Sequence, residues 1–134
     1  MPISLDNVFG VHEAALKLRA QRTEVLASNL ANADTPNYKA KDIDFQAAMR
    51  KATALSSAGT LKTTQKGHIS SAGLGGLDDF VKFRIPTQPA LDGNSVETHV
   101  EQAAFAKNAM EYQATLRFFE GKSQSIVTAI KGGS

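Results

Sequence analysis

The chain has no cysteine, and no histidine pair at metal-ligand spacing takes its place. Disulfide frameworks, thiol nucleophiles and structural zinc are therefore excluded. No stretch approaches the roughly 20 apolar residues that a membrane-spanning helix needs. Met1 to Gly10 holds Asp6 and no basic cluster ahead of an apolar run, so no cleavable secretory signal is read there. Charge of one sign is scarce too. The formal charge is +2, and basic residues alternate with Asp and Glu, leaving no block that would suit nucleic acid or an anionic membrane. Apolar residues thin out in the middle of the 134 residues, so a single core running through the whole chain is not expected.

What is present is helical periodicity at both ends. Leu5, Phe9, His12, Leu16, Arg19, Thr23, Leu26, Leu30 and Ala33 follow one another at alternating steps of four and three, the spacing of a coiled-coil seam. A second stripe of Val8, Val11, Ala15, Leu18, Arg22, Val25, Asn29 and Asn32 widens that face. Ser4 or Asp6 is placed to cap its start, and a helix of about 28 residues would be roughly 42 Å long. Phe105, Ala109, Tyr112, Leu116, Phe119, Ser123, Ile126 and Ile130 repeat the same rhythm near the other end. There, Asp92-Gly93 supplies a turn, Asn94 and Glu97 have the form of a capping box, and Gly132-Gly133 ends the helix. Gly121 interrupts this pattern at about 1 kcal/mol relative to alanine, which predicts a kink or a close backbone contact.

The middle has a different texture. Asp42 to Lys51 fits a short helix or an extended arm, and Thr53 to Asp79, rich in Ala, Ser, Thr, Gly and Lys, reads as a flexible loop. Val81, Phe83 and Ile85 alternate with Lys82 and Arg84 as in a short strand, after which Pro86 and Pro89 impose an extended path. This middle is not expected to supply a core. Each seam would contribute on the order of 10 kcal/mol on burial, but two helices alone cannot cover both wide faces. Ordering by neighbouring chains is the expectation, with a self-contained antiparallel helical hairpin as the rival.

Catalytic chemistry is not assembled anywhere in the sequence. His12, His68 and His99 are scattered, and Asp42/Asp44 and Asp78-Asp79 have no nucleophile in frame, so they read as solvated acids. Gly73-Leu74-Gly75-Gly76 lacks the glycine spacing of a dinucleotide site. Arg19 and Arg22, beside the first seam, are placed to pair with acids such as Glu111 or Glu120 of a neighbouring subunit. No enzyme, no cofactor, no metal and no small-molecule substrate is expected.

The informative stretch closes the first helix, Ala27-Ser28-Asn29-Leu30-Ala31-Asn32-Ala33-Asp34-Thr35-Pro36-Asn37-Tyr38. Pro36 pushes Thr35 toward the extended region and Asn37 tolerates positive φ, so the chain must leave the helix sharply, and Tyr38 can fold back onto it. Asn29, Asn32, Thr35 and Tyr38 match Asn-x-x-Asn-x-x-Thr-x-x-Tyr, which resembles the N-terminal signature of bacterial flagellar axial proteins. Asn37 stands where a glycine is common in that turn, and Ser28 where an asparagine is frequent. Leu18-Arg19-Ala20-Gln21-Arg22, Tyr38 to Phe45, Leu91-Asp92-Gly93-Asn94, Asn108 and Tyr112-Gln113 narrow the resemblance to the short basal-body rod proteins of the proximal rod.

That resemblance implies a structural subunit of the periplasmic rod at the base of the drive shaft. It implies export by the flagellar type III apparatus without a cleavable signal, and a part in motility. The partners it implies are other copies of the chain, the rod protein FlgC, the adaptor FliE, the MS-ring protein FliF and the export-gate proteins. The expected fold is mainly α, with two long terminal helices in an antiparallel coiled-coil-like pair and a short strand segment and flexible loop between them. The expected divisions are 1–38 for the first helix and signature turn, 39–94 for the middle and 95–134 for the second helix. Leu16, Leu26, Leu30, Phe105, Tyr112, Leu116, Phe119 and Ile126 are expected to pack the helices; Asn29, Asn32, Thr35, Pro36 and Tyr38 form the assembly turn. A soluble helical adaptor or export chaperone, binding helices through the same seams without polymerising, is the second reading.

Overall fold

The computed structural model describes residues 5–57 and 77–132. Helix α1 spans Leu5–Ala31, strand β1 Lys41–Ile43, helix α2 Phe45–Ser57, strand β2 Val81–Phe83 and helix α3 Thr98–Ile130; a 3-10 turn, Leu77–Phe80, leads into β2. Of the helix-start candidates, Asp6 falls inside α1 and Ser4 lies outside the described residues. His68 and the Gly73 to Gly76 run also lie outside them, as does most of the expected loop.

Helices α1 and α3 run antiparallel along their length. Phe9 meets Phe119 with ring centroids 5.2 Å apart, Arg19 pairs with Glu111, and Asn29 donates to Glu101. Helix α2 and β1 pack on the other stripe of α1. Strand β1 pairs antiparallel with β2, setting Lys41 opposite Phe83, Asp42 opposite Lys82 and Ile43 opposite Val81. Among the described residues no helix is long and apolar enough to cross a membrane.

Three expectations for the middle are corrected. The stretch from Thr53 opens as the end of α2, not as a loop. The middle also contributes to the core, because Ala40, Ile43 and Ala48 are buried beside Ala15, Leu18 and Leu26 of α1. Their small or branched side chains let β1 and α2 lie close on α1, which a count of large apolar residues underrates. Asp44 starts α2, its Oδ1 accepting from the Ala47 N–H at 3.0 Å, as an N-cap acid does. The 2.7 Å bond from Lys82 and then that amide hold the Asp44 carboxyl below its ordinary range. Asp44, and Asp42, which pairs with Arg22 and Arg84, are engaged structural acids and not solvated ones.

Two expectations for α3 are corrected as well. The helix runs unbroken through Gly121, and a Cβ there would meet nothing within 4 Å, so the expected close backbone contact is not made within the chain. The capping box does not form. Glu97 is the N-cap without a side-chain cap bond, because Asn94 is used elsewhere and Glu97 accepts from the Thr87 hydroxyl. That bond is the main cause of a lowered Glu97 pKa. The other end behaves as expected, with Gly132 at φ +80° just past the last turn.

Candidate assembly joint

The signature turn is built outward from Asn29. This residue is fully buried on α1, facing the strand that the chain enters after the turn. Its Nδ2 donates to the Lys41 carbonyl at 2.7 Å, and its Oδ1 accepts from the Lys41 N–H at 3.0 Å. One side-chain amide thus takes the place of a neighbouring strand along the outer edge of β1. The Tyr38 hydroxyl donates to the same Oδ1 at 3.4 Å and lies 3.3 Å from the Ser28 hydroxyl, so Tyr38 folds back onto the helix it has left.

Asn32 and Thr35 shape the exit itself. Asn32 Nδ2 donates to the Ser28 carbonyl at 2.8 Å, and the Thr35 hydroxyl donates to Asn32 Oδ1 at 3.2 Å. Pro36 is exposed at the tip and Asn37 sits at φ +61°, a left-handed conformation that asparagine accepts more readily than most residues. A second turn docks on this one. The Asn37 N–H donates to the Asp92 carbonyl at 3.0 Å, and the Ser95 N–H donates to the Tyr38 carbonyl at 3.0 Å. Gly93 has φ +74°, a conformation that favours glycine, and a Cβ on it would stand 2.6 Å from Asn37 Oδ1, so the Asn37 side chain would have to move. Asn94 Nδ2 donates to the carbonyls of Asn32 at 3.1 Å and Ala33 at 2.6 Å. These carbonyls lie just past the end of α1, and that of Asn32 also accepts from the Thr35 N–H at 3.1 Å. A residue expected to start α3 thus finishes α1.

Beneath the turns lies a closed polar network. Glu101 of α3 is fully buried. Its Oε2 accepts from Asn29 at 3.1 Å and its Oε1 accepts from Arg84 at 2.9 Å. Arg84 also donates to Asp42 at 2.6 Å, while Arg22 holds the same carboxylate with two bonds of 2.8 and 3.0 Å. Burial alone pushes the Asp42 carboxyl up, but the hydrogen bonds from Arg22 and Arg84 outweigh it and leave it below its ordinary range. The Asp42 hydrogen bond likewise raises Arg22 against the opposing effect of burial. Two acids and two arginines from α1, β1, the segment after β2 and α3 meet here, each with its partner inside the chain.

A second polar contact follows along the helices. Asn108 Nδ2 donates to the Arg19 carbonyl and to the Thr23 hydroxyl, both at 2.9 Å. The Arg19 guanidinium lies 4.4 Å from the Phe45 ring centroid while pairing with Glu111 of its own chain.

Among the other expected packing residues, Leu26 is fully buried. Leu16, Leu30, Phe105, Phe119 and Ile126 are half-buried, and Tyr112 and Leu116 are 36% and 37% exposed. The structure adds Arg84, Glu101, Asp42, Asn94 and Ser95 to the joint. One signal for Glu101 was available: it stands one i to i+4 step before Phe105, on the same side of the helix, and an acid on a packing face needs a partner. The charged groups of this network pair with one another and tie α1, β1, the segment after β2 and α3 together.

A family model described as "Flagella basal body rod protein" matches residues 9–39, which include the signature turn. The flagellar basal body rod protein FlgB of Aeromonas hydrophila is 41% identical over 133 residues, 98% of each chain. FlgB of Cereibacter sphaeroides is 45% identical over 123 residues, 92% of this chain and 93% of its own. FlgB of Escherichia coli is 39% identical over 134 residues, 97% of each. Matched along almost its whole length at such identity, the chain belongs to the FlgB family of flagellar basal-body rod proteins.

Proposed function

We propose that this rod subunit, a structural protein and not an enzyme, works in the proximal rod as a preset bracket. The joint around Asn29 fixes the angle between α1 and the chain that leaves it, and the far half of the helical pair is covered by neighbouring subunits. The observation that carries this reading is the contrast in coverage on α3. Asn108 and Glu101 are buried, whereas Phe118 is 68% and Ile130 80% exposed, with Leu116 and Val127 also uncovered. Exposed apolar side chains repeated along one helix are what an interface leaves on a free subunit.

Asn29, Asn32, Thr35, Pro36 and Tyr38 set the bracket, while Leu16, Leu26, Leu30, Phe105, Tyr112, Leu116, Phe119 and Ile126 serve helix packing within and between subunits. The chain arrives by type III export and assembles in the periplasm. Its neighbours are further copies, FlgC, FliE, FliF and the export-gate proteins. The test is Leu116→Asp. Leu116 is already partly exposed, so the purified chain is expected to keep its helicity and melting behaviour while swimming and recovery in basal bodies are lost. Normal swimming by that variant would sink the proposal.

A further inference from the structure

The outward faces of α1 and α3 carry a pattern that packing within the chain does not use. On α1, Glu13, Lys17, Ala20, Glu24, Ala27 and Ala31 are all exposed and follow one another at steps of four and three. On α3, Ala103, Lys107, Met110, Ala114, Arg117 and Gly121 do the same, turned away from α1. Each is a seam in the coiled-coil sense, yet each faces solvent.

The charges on the two seams are complementary. Glu13 and Glu24 stand eleven positions apart, about 16 Å along a helix, and Lys107 and Arg117 stand ten apart, about 15 Å. Among the described residues, Glu24, Lys107 and Arg117 enter no ion pair, and Glu13 has only the exposed pair with Lys17 at 2.6 Å. Such a pair contributes little and leaves Glu13 open to a second cation. Between the charges α1 carries alanines, and α3 carries Met110, 65% exposed, and small residues.

We infer that the outer seam of α3 receives the outer seam of α1 from a second copy of this chain, side by side and level with it. Copies repeated in one direction bring α1 of one against α3 of the next, antiparallel, as the two helices already run within the chain. The register that pairs Arg19 with Glu111 and Asn29 with Glu101 inside the chain then sets Glu24 opposite Lys107 and Glu13 opposite Arg117 across the contact. It also sets Ala20 against Met110 and Ala27 against Ala103. Gly121, which has no neighbour of its own where a Cβ would stand, gains a role as a place for the second backbone to come close. Two different faces meet, so the contact repeats without closing on itself as a dimer, and a row of subunits results. The inference rests on the reading of the chain as a rod subunit.

Charge exchange tests it, with the full chain expressed in cells deleted for their own copy. Glu24→Lys alone and Lys107→Glu alone set like charges face to face and are expected to reduce recovery in purified basal bodies by about tenfold or more. The double variant restores the attraction and recovers both incorporation and swimming. Single variants that incorporate like the parent, or a double variant no better than the singles, overturn the contact.

A second arm is independent of any charge-related folding defect. Ala27→Cys and Ala103→Cys placed together in this cysteine-free chain should give a ladder of linked copies when basal bodies are treated with a short bis-maleimide, and monomers alone overturn the register. Absence of the unaltered chain from basal bodies would instead remove the rod reading on which the inference stands.

Discussion

The two ends of the α1–α3 pair are held by different forces. Near Asn29 the buried groups are mostly polar, and Glu101, Asn94 and Ser95 find their partners inside the chain. Toward Ile130 the contacts are apolar and incomplete, with the Phe9–Phe119 ring pair beside Val11, Leu116, Phe118 and Val127, which stay exposed. Hydrogen bonds are directional, so the polar end can fix one geometry. Apolar contact has no preferred direction, so the other end can accept whatever covers it. On the function proposed above, one region sets the subunit's shape and the other is left for its surroundings.

The contrast breaks most sharply at Arg84. Arg84→Ala leaves Glu101 buried without its charged partner and should cost about 3 to 5 kcal/mol in urea unfolding of the purified chain, whereas Phe118→Ala at the far end should stay within about 0.5 kcal/mol. Equal losses at the two sites would erase the distinction. Gly93→Ala tests the docked turns, since the added Cβ meets Asn37 Oδ1 at a backbone conformation that favours glycine. A cost of roughly 1 to 3 kcal/mol by thermal melting is expected, and a neutral result would mean that the two turns are not held together.

Acid should loosen the polar end first. The Asp42 carboxyl is held below its ordinary range in the fold. Its contribution is therefore fully present above the unfolded value of about 3.9 and is lost as pH falls through the lower folded value. Amide exchange near Lys41 and Arg84 should accordingly rise below about pH 4, ahead of exchange near Phe119. The reverse order would count against the network.

The smallest expected effect is at the open end. Gly121→Ala should raise stability by about 0.5 to 1 kcal/mol, because the methyl group has room and the helix no longer carries a glycine. Recovery in basal bodies should nevertheless fall if a second backbone comes close there; unchanged recovery would confine Gly121 to the helix's own energetics.

Much of this comparison was legible in the sequence. Alternating steps of four and three gave both long helices, and Thr35-Pro36-Asn37 gave the sharp exit. The joint was only half visible. Asn29 and Tyr38 stood out through a motif, but Arg84 sat in a strand pattern whose alternation marks it as an outward residue, and Asn94 had a credible local use three positions before Glu97. In both cases a distant partner overrode a local preference, and residues 17 and 61 or 62 positions away are beyond a rule that reads neighbours. Asp42 was misread for the same reason, since its cations come from Arg22 and from Arg84, 20 and 42 positions away on either side.

The bond from Asn29 to Glu101 closes a span of 72 residues. Helical turns form within about a microsecond, but a contact of that span must wait for the search that brings its ends together. On the export route proposed above, with the chain passing as an extended thread from its first residues, the joint works as a latch. It cannot close until Glu101 has come through, and until then nothing in α1 obliges the thread to stop moving.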